Sequence, residues 1–175
     1  YCSGEQEPVQ VGLNQTCVDG SVQFEDPKLH KFVCTSLDRR SNCSVQCGES
    51  IGAILSANNN EETQEGDRIE SLSGVEELGF DEAEGHMLEF MYNSITDLTP
   101  LGSVSNIRVL NLAHNQISNI GHLAGLDDML RILNVGSNQV QDIDVLGRLG
   151  KLVVLRLNNN AISDIRPIRD LEYLV

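Results

Sequence analysis

Histidine, cysteine and carboxylate side chains are where this chain could do chemistry. Of its four histidines, His86 and His114 border short apolar segments, and either one beside Glu89 would form the acid–base pair that proton-transfer catalysis needs. His30 and His122 stand apart from them. No G-x-S-x-G elbow, H-E-x-x-H pair or glycine-rich phosphate loop accompanies these residues, so the expectation is no catalytic site and no enzyme.

All five cysteines, Cys2, Cys17, Cys34, Cys43 and Cys47, fall in the first 47 residues. Their spacing offers no C-x-x-C pair and no Cys/His quartet of the zinc-binding kind, so no metal site is expected there. Clustering of this type points to disulfides and an oxidising setting: a secreted, extracellular or organelle-lumenal protein. Because the number is odd, at most two bridges form within the chain, and the sequence does not choose among the pairings. Two sequons in the same region, at Asn14 and Asn42, fit a secreted glycoprotein. Tyr1 rather than Met at the start fits a processed mature chain or a trimmed one.

Charge is concentrated. The 175-residue chain carries a formal net charge of −14, and residues 49–84 hold eleven carboxylates (Glu49, Glu61, Glu62, Glu65, Asp67, Glu70, Glu76, Glu77, Asp81, Glu82 and Glu84) against Arg68 alone. Such a balance argues against nucleic acid or an anionic membrane surface as partner, and would suit a basic protein partner. Within this segment NEETQEGD, residues 60–67, lacks the D-x-D-x-D-G spacing of a calcium loop, so a solvated acidic insertion is expected in preference to a calcium site. No apolar run is long enough to span a membrane. No cofactor is implied.

The elements that would position these groups come from a repeat. From Leu152 to Tyr173 the apolar residues are Leu152, Leu155, Leu157, Ile162, Ile165, Ile168 and Leu171, with Asn160 fixed among them. Upstream the template returns at Asn138, Asn115 and Asn93, a period of 22 or 23 residues that indicates a solenoid. The regular coils are 85–106, 107–129, 130–151 and 152–173. A degenerate, acidic coil, 51–84, precedes them, with Ile51, Ile54, Ser56 and Asn59 on its strand side and Ile69, Leu72, Val75 and Leu78 on its return side. Its excess residues form one insertion of eight, Asn60 to Asp67, and a second of about four at Gly79 to Glu84.

Residues 1–50 read as a small cysteine-rich N-terminal cap with strand-like runs at Val18–Phe24 and Lys31–Thr35, covering the apolar interior that the first coil of residues 51–175 would otherwise expose. Leu174 and Val175 begin a further coil with no polar cap in sight, which suggests a fragment or an assembly held through that C-terminal edge.

The pattern L-x-x-L-x-L-x-x-N-x-I-x-x-I-x-x-L-x-x-L resembles the leucine-rich repeat family, in particular the short type of bacterial internalins and of a eukaryotic phosphatase regulatory subunit. The resemblance covers 51–175 and implies an α/β solenoid: a short parallel sheet on the concave face, irregular or short helical returns on the convex face, and protein binding through the concave face without catalysis. Asn93, Asn115, Asn138 and Asn160 would each bond the backbone of neighbouring coils at the turn out of a strand.

Strand residues six, four and two before each asparagine should line the concave surface. The first row reads Ala53, Met87, Val109, Ile132 and Val154; the second Leu55, Glu89, Asn111, Asn134 and Arg156; the third Ala57, Met91, Ala113, Gly136 and Asn158, flanked by Tyr92 and His114. An apolar row beside a mixed polar one has the composition of an interface, which marks Met87, Glu89, Met91, Tyr92, Val109, Asn111, Ile132, Asn134, Val154 and Arg156 as candidate partner-binding residues. β-branched residues also simply suit strands. Two other readings are a structural subunit of a larger assembly and an intracellular scaffold like the phosphatase regulator, the latter disfavoured by the cysteines.

Overall fold

The structure, a computed structural model, describes residues 17–18, 21–36, 54–78, 85–126 and 129–175. Expectations for Cys2, Cys43, Cys47, Asn14, Asn42, Ile51, Ala53, the side chain of Cys17 and the excess at 79–84 lie outside those residues.

Two short strands, β1 (Cys17–Val18) and β2 (Ser21–Val22), pair antiparallel, so the run expected as one strand from Val18 is divided. Lys31–Thr35, expected as a strand, lies inside helix α1 (Pro27–Ser36). Local chemistry explains this correction. Pro27 pre-sets the first helical φ. The Asp26 carboxylate accepts the Lys28 N–H at 2.8 Å, satisfying a donor that the first turn leaves free. Leu29 and Val33 then fall on one face with the helical period, and both are fully buried. Cys34 beside them is buried too and is disulfide-bonded, with no free thiol among the described cysteines.

Five parallel strands follow in sequence order: β3 (Ile54–Ser56), β4 (His86–Glu89), β5 (Ile107–Asn111), β6 (Ile132–Asn134) and β7 (Val154–Arg156). After each strand the chain returns through a 3-10 turn, at Val75–Glu77, Thr99–Ser103, Gly121–Leu126, Asp144–Arg148 and Arg166–Ile168. This is an α/β leucine-rich-repeat solenoid, with the sheet on one side and the short helical returns on the other. Leu88, Leu110 and Leu133 point inward from the strands and Leu101, Leu123 and Leu146 from the returns, all fully buried in one aliphatic core. α1 adds Leu29 and Val33 to the same core at its β3 end.

A ladder of asparagines ties each coil to the one before. Asn93, Asn115, Asn138 and Asn160 accept, through Oδ1, the N–H groups of Ile69, Ile95, Ile117 and Val140 at 2.8–3.0 Å. Their amide groups donate to carbonyls of the preceding coil: Asn115 to Phe90 at 2.8 Å, Asn138 to Leu112 at 2.9 Å and Asn160 to Val135 at 2.9 Å. Each asparagine thereby pairs backbone groups that the aliphatic interior would leave orphaned.

The first coil departs from its expected register by one residue. Ile54 pairs with Met87 and Ser56 with Glu89, which places Leu55 in the core stack with Leu88. Leu55 and Ala57, expected on the concave surface, are fully buried, because a one-residue slip exchanges the two faces of a strand. Asn60, not Asn59, therefore stands opposite Asn93, and the insertion before Ile69 is one residue shorter than expected.

Candidate binding surface

The sheet register builds the surface directly. Met87, Val109, Ile132 and Val154 are consecutive partners across β4 to β7, as are Glu89, Asn111, Asn134 and Arg156. All of the first row is half-buried, whereas the leucines between the rows on β4 to β6 are fully buried. Strands stack at about 4.8 Å, so four aliphatic side chains form a stripe about 14 Å long. In the third row Met91 is half-buried, Ala113 and Gly136 are buried and Asn158 is exposed. Gly136 has a steric reason to be glycine: a Cβ there would stand 2.9 Å from Asn158 Oδ1.

One end of this face is acidic and well tied down. Glu89 accepts hydrogen bonds from Ser56 Oγ and Asn58 Nδ2, each at 3.1 Å, and Asn58 Oδ1 accepts the Met91 N–H at 2.7 Å. These bonds occupy Glu89 with a hydroxyl and an amide in place of the histidine partner that an acid–base pair would need. Asn111 Nδ2 donates to Met91 Sδ at 2.9 Å, holding the thioether over the polar row. Arg156 is exposed at the opposite end.

Tyr92 and His114 lie on the rim, rings stacked with centroids 4.0 Å apart and planes 11° from parallel. The acidic insertion reaches them: Tyr92 donates its hydroxyl hydrogen to Glu61 Oε1 at 3.5 Å. Asn60 Oδ1 fixes the turn there, accepting from Glu62 N at 2.9 Å and Thr63 Oγ1 at 3.2 Å. His86, by contrast, is 3% exposed at the start of β4. Among the described residues no group of three or more His, Cys, Asp or Glu side chains gathers as a metal site, and no helix is long and apolar enough to cross a membrane.

Ser56, Asn58 and Glu61 escaped the sequence reading. The one-residue slip hid the first two, and the third depends on how an insertion folds. A further column was legible but unread: four residues after each ladder asparagine stand Asp97, Asn119, Asp142 and Asp164. Each accepts the N–H two residues on, at 2.8–2.9 Å, opening a return turn on the face opposite the sheet. A hydrogen bond from the Thr99 hydroxyl holds the Asp97 carboxyl below its ordinary pKa, and the Arg166 guanidinium holds exposed Asp164 at about 2.

Family models agree with the repeat. Residues 128–173 match a model for two copies of leucine-rich repeats, and residues 105–124 match a single-repeat model. No curated protein matches the chain in sequence. Solved structures it is similar to include an internalin of Listeria monocytogenes, with 29% identity over 73% of this chain and 46% of that one and a TM-score of 0.48. This chain thus spans under half the length of that relative. Internalin C2 of the same organism is 25% identical over 86% of this chain and 92% of its own, with a TM-score of 0.40. A leucine-rich-repeat protein of Leptospira interrogans is 24% identical over 58% of this chain and 25% of its own, with a TM-score of 0.46. The repeat models fall on coils that the asparagine ladder joins, so residues 105–124 and 128–173 match leucine-rich repeats and the chain is similar to that family there.

Proposed function

We propose that this chain is a non-catalytic recognition module that binds a protein partner through the concave sheet, using Met87, Met91, Tyr92, Val109, Ile132 and Val154 as contacts and Glu89, Asn111, Asn134 and Arg156 as the polar row. Leucine-rich-repeat domains generally mediate protein–protein interaction, and repeat proteins of this kind are typically without catalysis. One observation carries the reading: four aliphatic residues in strict register stay half-exposed on the sheet while the leucines between the rows on β4 to β6 are wholly buried. An apolar stripe bordered by polar groups is the anatomy of an interface core with its rim. The acidic balance favours a basic partner, and the cysteine-rich N-terminal region with its two sequons favours a secreted or lumenal glycoprotein.

Affinity capture of native material with the wild-type chain and with a Val109→Asp, Ile132→Asp double variant tests this. Loss of the captured partner in the double variant, with an unchanged melting profile, is the expected result; equal capture by both chains would refute the concave face.

A further inference from the structure

The residue before each ladder asparagine adopts a left-handed backbone: Tyr92 at φ +56°, His114 at +56°, Ser137 at +55° and Asn159 at +55°. Asparagine and, less readily, histidine accept this conformation, but a bulky tyrosine there is an outlier that invites a functional explanation. Core packing does not supply one. Tyr92 is partly buried and is not part of the aliphatic core; its ring stacks on the His114 ring and its hydroxyl donates to Glu61. The strained position thus holds a flat aromatic surface at the edge of the concave sheet, with a carboxylate at its tip.

Charge around this platform has one sign. Glu61 lies at the Tyr92 hydroxyl, and Glu89, the last residue of β4, stands three residues earlier in the chain. Among the described residues neither forms an ion pair, although Lys28, Arg166 and Arg169 do so elsewhere. Stacked rings of 11° interplanar angle leave one face of each turned away from the other. An aromatic face beside an unneutralised carboxylate complements one side chain best. A planar guanidinium can lie on the ring while donating two parallel N–H bonds to the carboxylate; an ammonium, compact and strongly hydrated, does neither as well.

Building on the concave-face reading, we propose that the partner segment is anchored by an arginine seated on the Tyr92–His114 platform and paired with Glu61, with aliphatic neighbours lying on Met87 and Val109. The arginine supplies the specificity and the aliphatic stripe the area, so recognition is of a basic-apolar protein segment and not of a diffusely cationic one.

Selection of random displayed peptides on the intact chain tests this without knowledge of the natural partner. Selected peptides are expected to carry an arginine next to aliphatic residues. Replacing that arginine by citrulline or lysine in the synthetic peptide should weaken binding by about tenfold or more, as should Glu61→Gln or Tyr92→Asn in the chain. Asparagine is the residue that the last coil itself places in this conformation, so Tyr92→Asn removes the platform without opposing the fold, which a melting curve checks. Peptides that lose binding to Val109→Asp but carry no arginine, or that bind equally well with lysine, overturn the arginine anchor and leave the concave face standing. Peptides indifferent to Val109→Asp, Glu61→Gln and Tyr92→Asn alike, or no selected peptides at all, overturn both.

Discussion

The first coil and the regular coils after it are built from one template and use it differently. From Ile95 onward the ladder is uniform: each asparagine takes one N–H from the coil before and returns its amide to a carbonyl there. In the first coil Asn60 stands in the ladder column, yet it turns its carbonyl oxygen to Glu62 and Thr63 within its own insertion, while Asn59 donates to Asn93 Oδ1 at 2.7 Å. Regularity there gives way to polar groups that meet the concave face: Ser56 and Asn58 on Glu89, and Glu61 on Tyr92. The uniform coils supply stability and a straight apolar stripe; the irregular coil supplies the chemistry at its end.

Breaking the ladder should separate the two regions most sharply. Asn115 is 8% exposed, and Asn115→Leu orphans the Ile95 N–H and the Phe90 carbonyl. A loss of about 2–3 kcal/mol is expected, lowering the thermal midpoint by roughly 5–10 °C. Asn60→Ala, in the same column of the first coil, should cost no more than about 1 kcal/mol, since it removes only exposed turn bonds. Equal losses at the two sites would erase the distinction.

A second break lies where the cap helix meets the first coil. The buried Asp26 carboxylate accepts the Lys28 N–H and, through Oδ2, the Glu70 N–H at 2.7 Å, and Lys28 Nζ donates to the Arg68 carbonyl. Asp26→Ala should destabilise by about 2 kcal/mol. Hydrogen exchange should quicken at Leu29 and Val33 while the amides of residues 107–160 keep their protection; uniform quickening would mean that the cap and coils unfold as one unit.

Smaller in effect is Tyr92→Asn. Relief of left-handed strain offsets the lost ring stack, and the expected change in stability is within about 0.5 kcal/mol of zero by chemical denaturation. A large loss would make the stack a structural element and weaken its assignment to binding.

Smallest is the pH response of the return turns. The pKa values of Asp97 and Asp164 are lowered in the folded chain, so the stability they contribute is complete above their ordinary value of 3.8 and is lost as pH falls from there toward about 2. An Asp97→Asn, Asp164→Asn double variant should therefore differ from wild type in the pH dependence of its melting only below about pH 4.

The regular coils were legible because period and residue type agreed at every position: aliphatics at fixed intervals, and an asparagine where a turn needs both a donor and an acceptor. Where local choices were degenerate, sequence alone misled. Three successive asparagines, Asn58, Asn59 and Asn60, offered three registers, and only the pairing of Ser56 with Glu89 decides among them. Lys31–Thr35, a short apolar run of Phe32, Val33 and Cys34 between polar ends, imitates a strand, although Asp26 and Pro27 upstream already carried a helix-start signal. Of the candidate surface, the two rows across β4 to β7 followed from the period, whereas the approach of Glu61 to Tyr92 depends on the folding of an insertion that no repeat specifies.

Oxidative surface footprinting of the chain, alone and with its captured partner, tests the division between scaffold and binding face most directly. Protection is predicted at Met87, Met91, Tyr92, Val109 and Ile132, with Pro100, His122 and Pro167 on the return turns labelled as before. Protection of the return turns with Met87 and Met91 unchanged would contradict it.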